Sequence, residues 1–236
     1  MLDVQKPDFR SNSLLVWMIV GVSAAIVCVL AVSAQSWWAQ SALIQQELSG
    51  TFIKPAEAAQ IDAWHEWLWQ FMAALYAVAF VLVIVWAVRA ARNARVLTGS
   101  NIRVTIGTVL LLHVLLHKLL HDLWLAGTLG ADKPNRWRRI PWPLVVCFML
   151  LVASKWPLSH PDTLTRAIDL PPRLRCDTAA PWRRHSLERN LGLCRDEFAA
   201  CFIRMLAAAV LVGGIVWIDQ LHMKKWQARL EAETIS

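Results

Sequence analysis

The chain has 236 residues, a formal net charge of +7, 57% hydrophobic residues, and 14 Trp against a single Tyr. A soluble domain of this length rarely carries so much apolar sequence, so the composition argues against one and favours a single polytopic membrane domain. Its basic residues gather at the ends of apolar stretches, where they would contact anionic lipid headgroups rather than nucleic acid. We therefore expect the lipid bilayer as a partner and no nucleic acid.

Four stretches carry no charged residue: residues 14–33, 71–88, 140–154 and 205–218. A helix rises about 1.5 Å per residue, so roughly 20 residues cross a ~30 Å hydrocarbon layer. The predicted fold is an all-α, polytopic membrane bundle of four spanning helices and one amphipathic helix. The predicted organisation is a cytoplasmic tail (1–13), a membrane domain (14–226) with spans at about 14–36, 66–90, 140–156 and 198–219, and a polar tail (227–236).

The first apolar run is too long for a signal peptide and is interpreted as a retained span.

Tryptophans collect at the predicted span ends, as they do at headgroup level in membrane proteins. A ligand cage is the alternative reading of the aromatic residues. The predicted interfacial anchors are Trp37, Trp38, Trp64, Trp67, Trp142 and Trp156.

Arginines follow the second span directly, at Arg89, Arg92 and Arg95. Such a cluster predicts a cytoplasmic location by the positive-inside rule. The N-terminus would then be cytoplasmic, and the acidic connection 39–63 would lie outside. Alternatively, this cluster and a second arginine cluster could together form a pocket for a lipid headgroup or a phosphate. The second cluster comprises Arg136, Arg138 and Arg139.

Residues 103–127 form a leucine-rich amphipathic segment that carries His113, His117, Lys118, His121 and Asp122. The three histidines cover only about 80° of a helix surface. Because ionisable groups are costly at mid-membrane, the segment is expected to be re-entrant or interfacial, or to span with its polar stripe against other helices. The side of the polar connection 158–197 depends on that choice. The last helix is predicted from about residue 197 to 227, with Arg204 placed to snorkel or pair.

The order of these segments resembles the bacterial membrane family described as "domain of unknown function 4328". The resemblance covers roughly residues 14–226 and is carried best by Arg92-Asn93-Ala94 and Asp122-Leu123-Trp124. The chain departs from the family at Val104-Thr105-Ile106-Gly107, where the family usually has Gly-Trp. The resemblance implies an architecture and a bacterial inner-membrane location, and it implies no chemistry.

The histidine ladder His113, His117 and His121 is the one candidate for chemistry, since imidazoles four residues apart on a helix can share a metal ion or face a haem. Alternatively, the three histidines could form a hydrated helix face at the membrane interface, or they could sense pH. No cofactor is predicted, with metal or haem as the alternative. The five cysteines include no C-x-x-C pair and are expected to be reduced thiols.

No nucleophile motif, P-loop or dinucleotide fingerprint occurs in the sequence. The sequence therefore favours a non-enzymatic membrane protein that acts through lipid contacts, partner membrane proteins or self-association. A metal- or haem-binding redox subunit that uses the histidine ladder is one alternative. A small transporter or channel component is the other.

Overall fold

The computed structural model describes residues 9, 11–50, 54–98, 120, 122–124 and 181–235. All regular structure within these ranges is helical, which confirms the predicted all-α class. The three long helices are α1 (Ser13–Leu48), α2 (Pro55–Thr98) and α3 (Pro181–Ile235). Residues 120 and 122–124 are also helical.

A turn at Ser49 and Gly50 ends α1. The backbone N–H of Gly50 donates to the carbonyl of Glu47 at 3.1 Å, and Gly50 has a φ of 91°, a conformation that glycine adopts without steric cost. The carbonyl of Lys54 then accepts from the amides of Glu57 and Ala58. Pro55 is therefore the first helical residue, where a missing N–H costs nothing. Most of the predicted connection 39–63 is consequently helix.

The last helix, α3, is longer than predicted at both ends. The helix begins at Pro181 and not at about residue 197, so the predicted polar connection 158–197 is helical from 181 onward. At the other end the helix continues to Ile235 through most of the predicted polar tail. Pairs four residues apart support both extensions, Arg184 with Glu188 at 3.0 Å and Arg229 with Glu233 at 3.4 Å.

All three long helices contain a stretch long and apolar enough to cross a membrane. They comprise 36, 44 and 55 residues, or about 54, 66 and 82 Å at 1.5 Å per residue. Since a hydrocarbon layer is only ~30 Å thick, each helix is much longer than one crossing requires. The predicted fourth span 140–156, and the predicted amphipathic helix 103–127 apart from residues 120 and 122–124, lie outside the described residues.

The buried side of α3 follows a seven-residue repeat. Its buried positions include Leu187, Asn190, Cys194, Glu197, Cys201, Ile215, Ile218 and His222. This alternating spacing of three and four is the pattern of knobs-into-holes helix packing. The stripe explains why α3 extends beyond its uncharged part: Leu187, Asn190, Cys194 and Glu197 are buried along one side of residues 184–197.

The described residues belong to two compact units. One contains 11–24, 77–98 and 209–235, and the other contains 25–50, 54–76 and 181–208. In the first unit the buried side chains include Ile19, Trp86, Ile215, Ile218 and several small residues of α2. Those small residues are Ala87, Ala90, Ala91 and Ala94. In the second unit a core forms from Ile44, Ala58, Leu187 and Cys194, with Trp37, Leu43, Leu48 and Leu191 packed against it.

Candidate functional site: buried polar groups of α3

The buried stripe of α3 contains ionisable side chains. Glu197 is 2% exposed and His222 is 1% exposed. Ionisable groups within membrane helices are costly, normally face the protein interior and often mark functional positions. We therefore take these two residues, which belong to different compact units, as the starting points for two separate candidate sites.

Glu197 forms an ion pair with Arg204 in the second unit. Arg204 Nη1 lies 3.1 Å from Glu197 Oε2, and the Arg204 side chain is 23% exposed. The residues are seven apart, or about 10.5 Å along the axis, so the long arginine side chain reaches back toward the helix N-terminus. Helix side chains tilt in that direction. The sequence-based expectation that Arg204 snorkels or pairs is thus resolved: it pairs.

Two thiols flank this ion pair on the same side of α3. Cys194 and Cys201 are buried free cysteines. They lie seven residues apart, about 10.5 Å along the helix axis, which is too far for a disulfide bond. Tyr76 of α2 interacts electrostatically with Arg204. The arrangement can fix helix register and orientation; both thiols are shielded from solvent, which disfavours a nucleophilic role.

In the second compact unit, a hydrogen bond and a ring contact also join α1 to α2. His65 Nε2 and Ser36 Oγ are 2.6 Å apart, and the His65 ring lies 4.0 Å from the Trp37 ring, centroid to centroid. Trp37 is therefore half-buried against protein. Its predicted role as an interfacial anchor stays a prediction, as do those of Trp38, Trp64 and Trp67, which are 62%, 47% and 52% exposed.

His222 forms the centre of the candidate site in the first unit. Its Nε2 lies 2.9 Å from the carbonyl oxygen of Leu123, which is itself fully buried. Because a carbonyl only accepts, Nε2 must carry the proton. The rings of Trp124 and Trp217 lie 6.2 Å apart beside this contact. The helical residues 122–124, which carry one motif of the family resemblance, thus pack on α3.

Unsatisfied polar atoms accompany His222. Its Nδ1 is buried and accepts no hydrogen bond in the described part of the chain. Asn12 is also buried: its carbonyl receives the amide of Val16 at 2.9 Å, while its side chain faces Asp219, one turn before His222. Buried polar atoms of this kind cost stability unless water or another group satisfies them.

Several predicted site residues lie outside the described part of the chain. They are His113, His117, His121, Arg136, Arg138, Arg139, Trp142 and Trp156. Arg89, Arg92 and Arg95 lie in the last turns of α2, the first half-buried and the others exposed. Within the described ranges, no three His, Cys, Asp or Glu residues come together to hold a metal ion.

Replacing His222 with phenylalanine is expected to lower the free energy of unfolding by about 1–3 kcal/mol. The change leaves the buried Leu123 carbonyl without its donor while keeping a ring of similar size. Denaturant unfolding of detergent-solubilised protein measures the loss. His185→Phe is the control, since His185 is exposed on the same helix. Equal losses in the two variants would contradict a stabilising role for the His222 contact.

Comparison of the chain with protein-family models, curated proteins and solved structures found no match. The resemblance to the "domain of unknown function 4328" family therefore stays a prediction. Sequence reasoning did not identify Glu197, Asn12 or His222 as buried. The seven-residue spacing of Cys194 with Cys201, and of Glu197 with Arg204, was the available signal.

Proposed function

We propose that this chain is a multi-pass protein of the bacterial inner membrane that catalyses no reaction and acts through contacts with lipid or partner membrane proteins. The supporting observation is that only 28% of the apolar window in each long helix is buried within the protein. Large apolar side chains face outward along α2, including Val78, Val81 and Val85 at 50%, 57% and 43% exposure. Apolar surface on this scale marks membrane or protein contact.

Aromatic residues support placing one end of α2 at headgroup level. Trp64, Trp67 and Phe71 stack in sequence, with centroid distances of 5.3 and 5.4 Å, and all three are exposed. Trp64 and Trp67 precede the uncharged stretch 71–88, Phe71 begins it, and Arg89 follows it. Aromatic side chains at one end and arginines at the other favour an N-terminus on the cytoplasmic side. The family resemblance favours a bacterial protein.

A transporter or channel component is the second candidate. The buried Glu197–Arg204 ion pair favours it, because paired ionisable groups in membrane helices often line a transport path. The redox alternative depends on His113, His117 and His121, which lie outside the described residues. Ion current across a planar bilayer containing the purified protein, abolished by Glu197→Gln, would favour the second candidate over the first.

Site-specific photo-crosslinking in intact cells tests the leading proposal. A photoreactive residue at Val81, which is 57% exposed, should yield discrete protein adducts or lipid adducts. The matched control is Val83, two residues away and 8% exposed, which should yield adducts only within the chain. Extraction of the protein by alkaline carbonate, or equal adduct patterns at the two positions, would contradict the proposal.

A further inference from the structure

An open apolar groove lies between α1 and α3 in the second compact unit. Its volume is about 360 Å³. Ala31, Ala34, Gln35 and Trp38 line it from α1. Phe198, Phe202 and Met205 line it from α3. Among the described residues that line it, Gln35 is the one polar residue, so the groove suits a hydrocarbon chain better than a polar solute.

Aromatic packing shapes this groove. The ring of Trp38 lies 5.6 Å from that of Phe198, and Phe198 contacts Phe202 edge to face at 5.0 Å, centroid to centroid. Trp38 is 62% exposed and Phe202 is 52% exposed, so the groove opens outward. The small side chains of Ala31 and Ala34 leave the space between the two helices.

The groove extends from a predicted headgroup level toward the hydrocarbon layer. Trp38 is a predicted interfacial anchor, while Met205 is the first residue of an uncharged stretch and Ala31 lies within another. An outward-opening apolar groove at this depth would be in contact with lipid acyl chains in a bilayer. Trp38 lies at the outer end of the groove, and tryptophan is common at the depth where a lipid's acyl chains join its headgroup.

Arg195 supplies a positive charge at the outer end of the groove. It is exposed and lies three residues before Phe198, so that residues 195, 198, 202 and 205 share one side of α3. Its acidic neighbour Asp196 points about 100° away around the helix. The next acidic residue of α3, Glu197, is buried and paired with Arg204. The guanidinium of Arg195 is therefore placed to contact a phosphate outside the groove.

We propose that the groove binds an anionic phospholipid, with an acyl chain between Trp38 and Phe202 and the phosphate against Arg195. This inference rests on the proposed function only in requiring that the chain resides in a bilayer. It adds a defined site, a lipid class and a residue that selects the headgroup.

Proteoliposomes containing a photoactivatable phosphatidylglycerol or phosphatidylcholine, each with the reactive group on an acyl chain, test the proposal. Adducts mapped by mass spectrometry should concentrate on peptides with residues 31–38 and 198–205, and should favour phosphatidylglycerol. Arg195→Gln should reduce that preference about fivefold, the effect of one basic residue at a membrane surface. Ala31→Trp, which fills the groove from an exposed position, should abolish the groove adducts.

Two matched controls separate the groove from general lipid contact. Arg189→Gln removes the same charge from another exposed position of α3, and Ala24→Trp adds the same bulk to an exposed position of α1 outside the groove. Both should behave as the unmodified protein. Even labelling of all membrane helices, equal labelling by the two lipids, or equal effects of the two arginine changes would overturn the inference. Absence of lipid adducts anywhere in the chain would instead overturn the proposed membrane function.

Discussion

Replacing Glu197 with alanine is expected to lower the free energy of unfolding by about 3–5 kcal/mol, the usual cost of removing one partner from a buried ion pair. The variant would leave the Arg204 guanidinium, 23% exposed, without the carboxylate 3.1 Å from it. Because the Arg204 side chain is only partly exposed, water would replace the lost carboxylate incompletely. Denaturant unfolding of the detergent-solubilised protein, followed by helical circular dichroism, measures the loss.

The double variant Glu197→Leu/Arg204→Met distinguishes the ion pair from its separate charges. Replacing both partners with apolar residues of similar length is often neutral or stabilising, so the double variant should recover most of the stability lost in the single variant. Glu188→Ala is the matched control on the same helix. Its ion pair with Arg184 has a similar N–O distance, 3.0 Å, but the side chains of Glu188 and Arg184 are 51% and 74% exposed. Such a surface pair contributes about 0–1 kcal/mol.

A double variant as unstable as Glu197→Ala would show that the loss does not arise from the charge of Arg204. A large loss in Glu188→Ala would show that any charge removal from α3 destabilises the protein. Either result would remove the argument that the buried pair fixes the register of α3. It would also remove the observation that favours a transporter.

The uncharged stretches predicted the helices well and their ends poorly. Counting charges identifies the part of a helix that can contact lipid, and it found 14–33, 71–88 and 205–218 within α1, α2 and α3. Counting charges does not identify the part of a helix that has charged residues on its exposed side and a buried stripe on the other. Residues 181–197 were therefore interpreted as a connection, although Leu187 and Cys194 already mark the buried stripe that makes them helical.

The contacts of the candidate sites had weaker signals in the sequence. Glu197 and Arg204 are seven residues apart, and that spacing places them on one side of a helix, but it does not show whether that side faces lipid, water or protein. The position of His222 fits the seven-residue repeat of α3, but its hydrogen-bond partner had no signal in the sequence. Its partner is the backbone carbonyl of Leu123, 99 residues away, and a backbone acceptor looks the same at every position of a sequence.

Replacing Trp86 with alanine is the second change expected to have a large effect, with a loss of about 3–5 kcal/mol in the free energy of unfolding. Trp86 is fully buried in the first compact unit, among the small residues Ala87 and Ala90 of its own helix. Helix packing in a membrane depends on close contacts rather than on exclusion of water, so the cavity left by an indole ring removes contacts that lipid cannot replace.

Two further variants make this expectation specific. Trp17→Ala is the control, because Trp17 is 71% exposed on α1 and should lose little stability. Trp86→Phe should lose much less than Trp86→Ala, since it keeps most of the ring volume and removes an indole N–H that is buried without a hydrogen-bond partner in the described part of the chain. Equal losses for Trp17→Ala and Trp86→Ala would contradict the packing of α2 through Trp86. A loss for Trp86→Phe as large as that for alanine would instead indicate that the indole N–H binds a polar group, which would place Trp86 among the polar residues of the first unit together with Asn12 and His222.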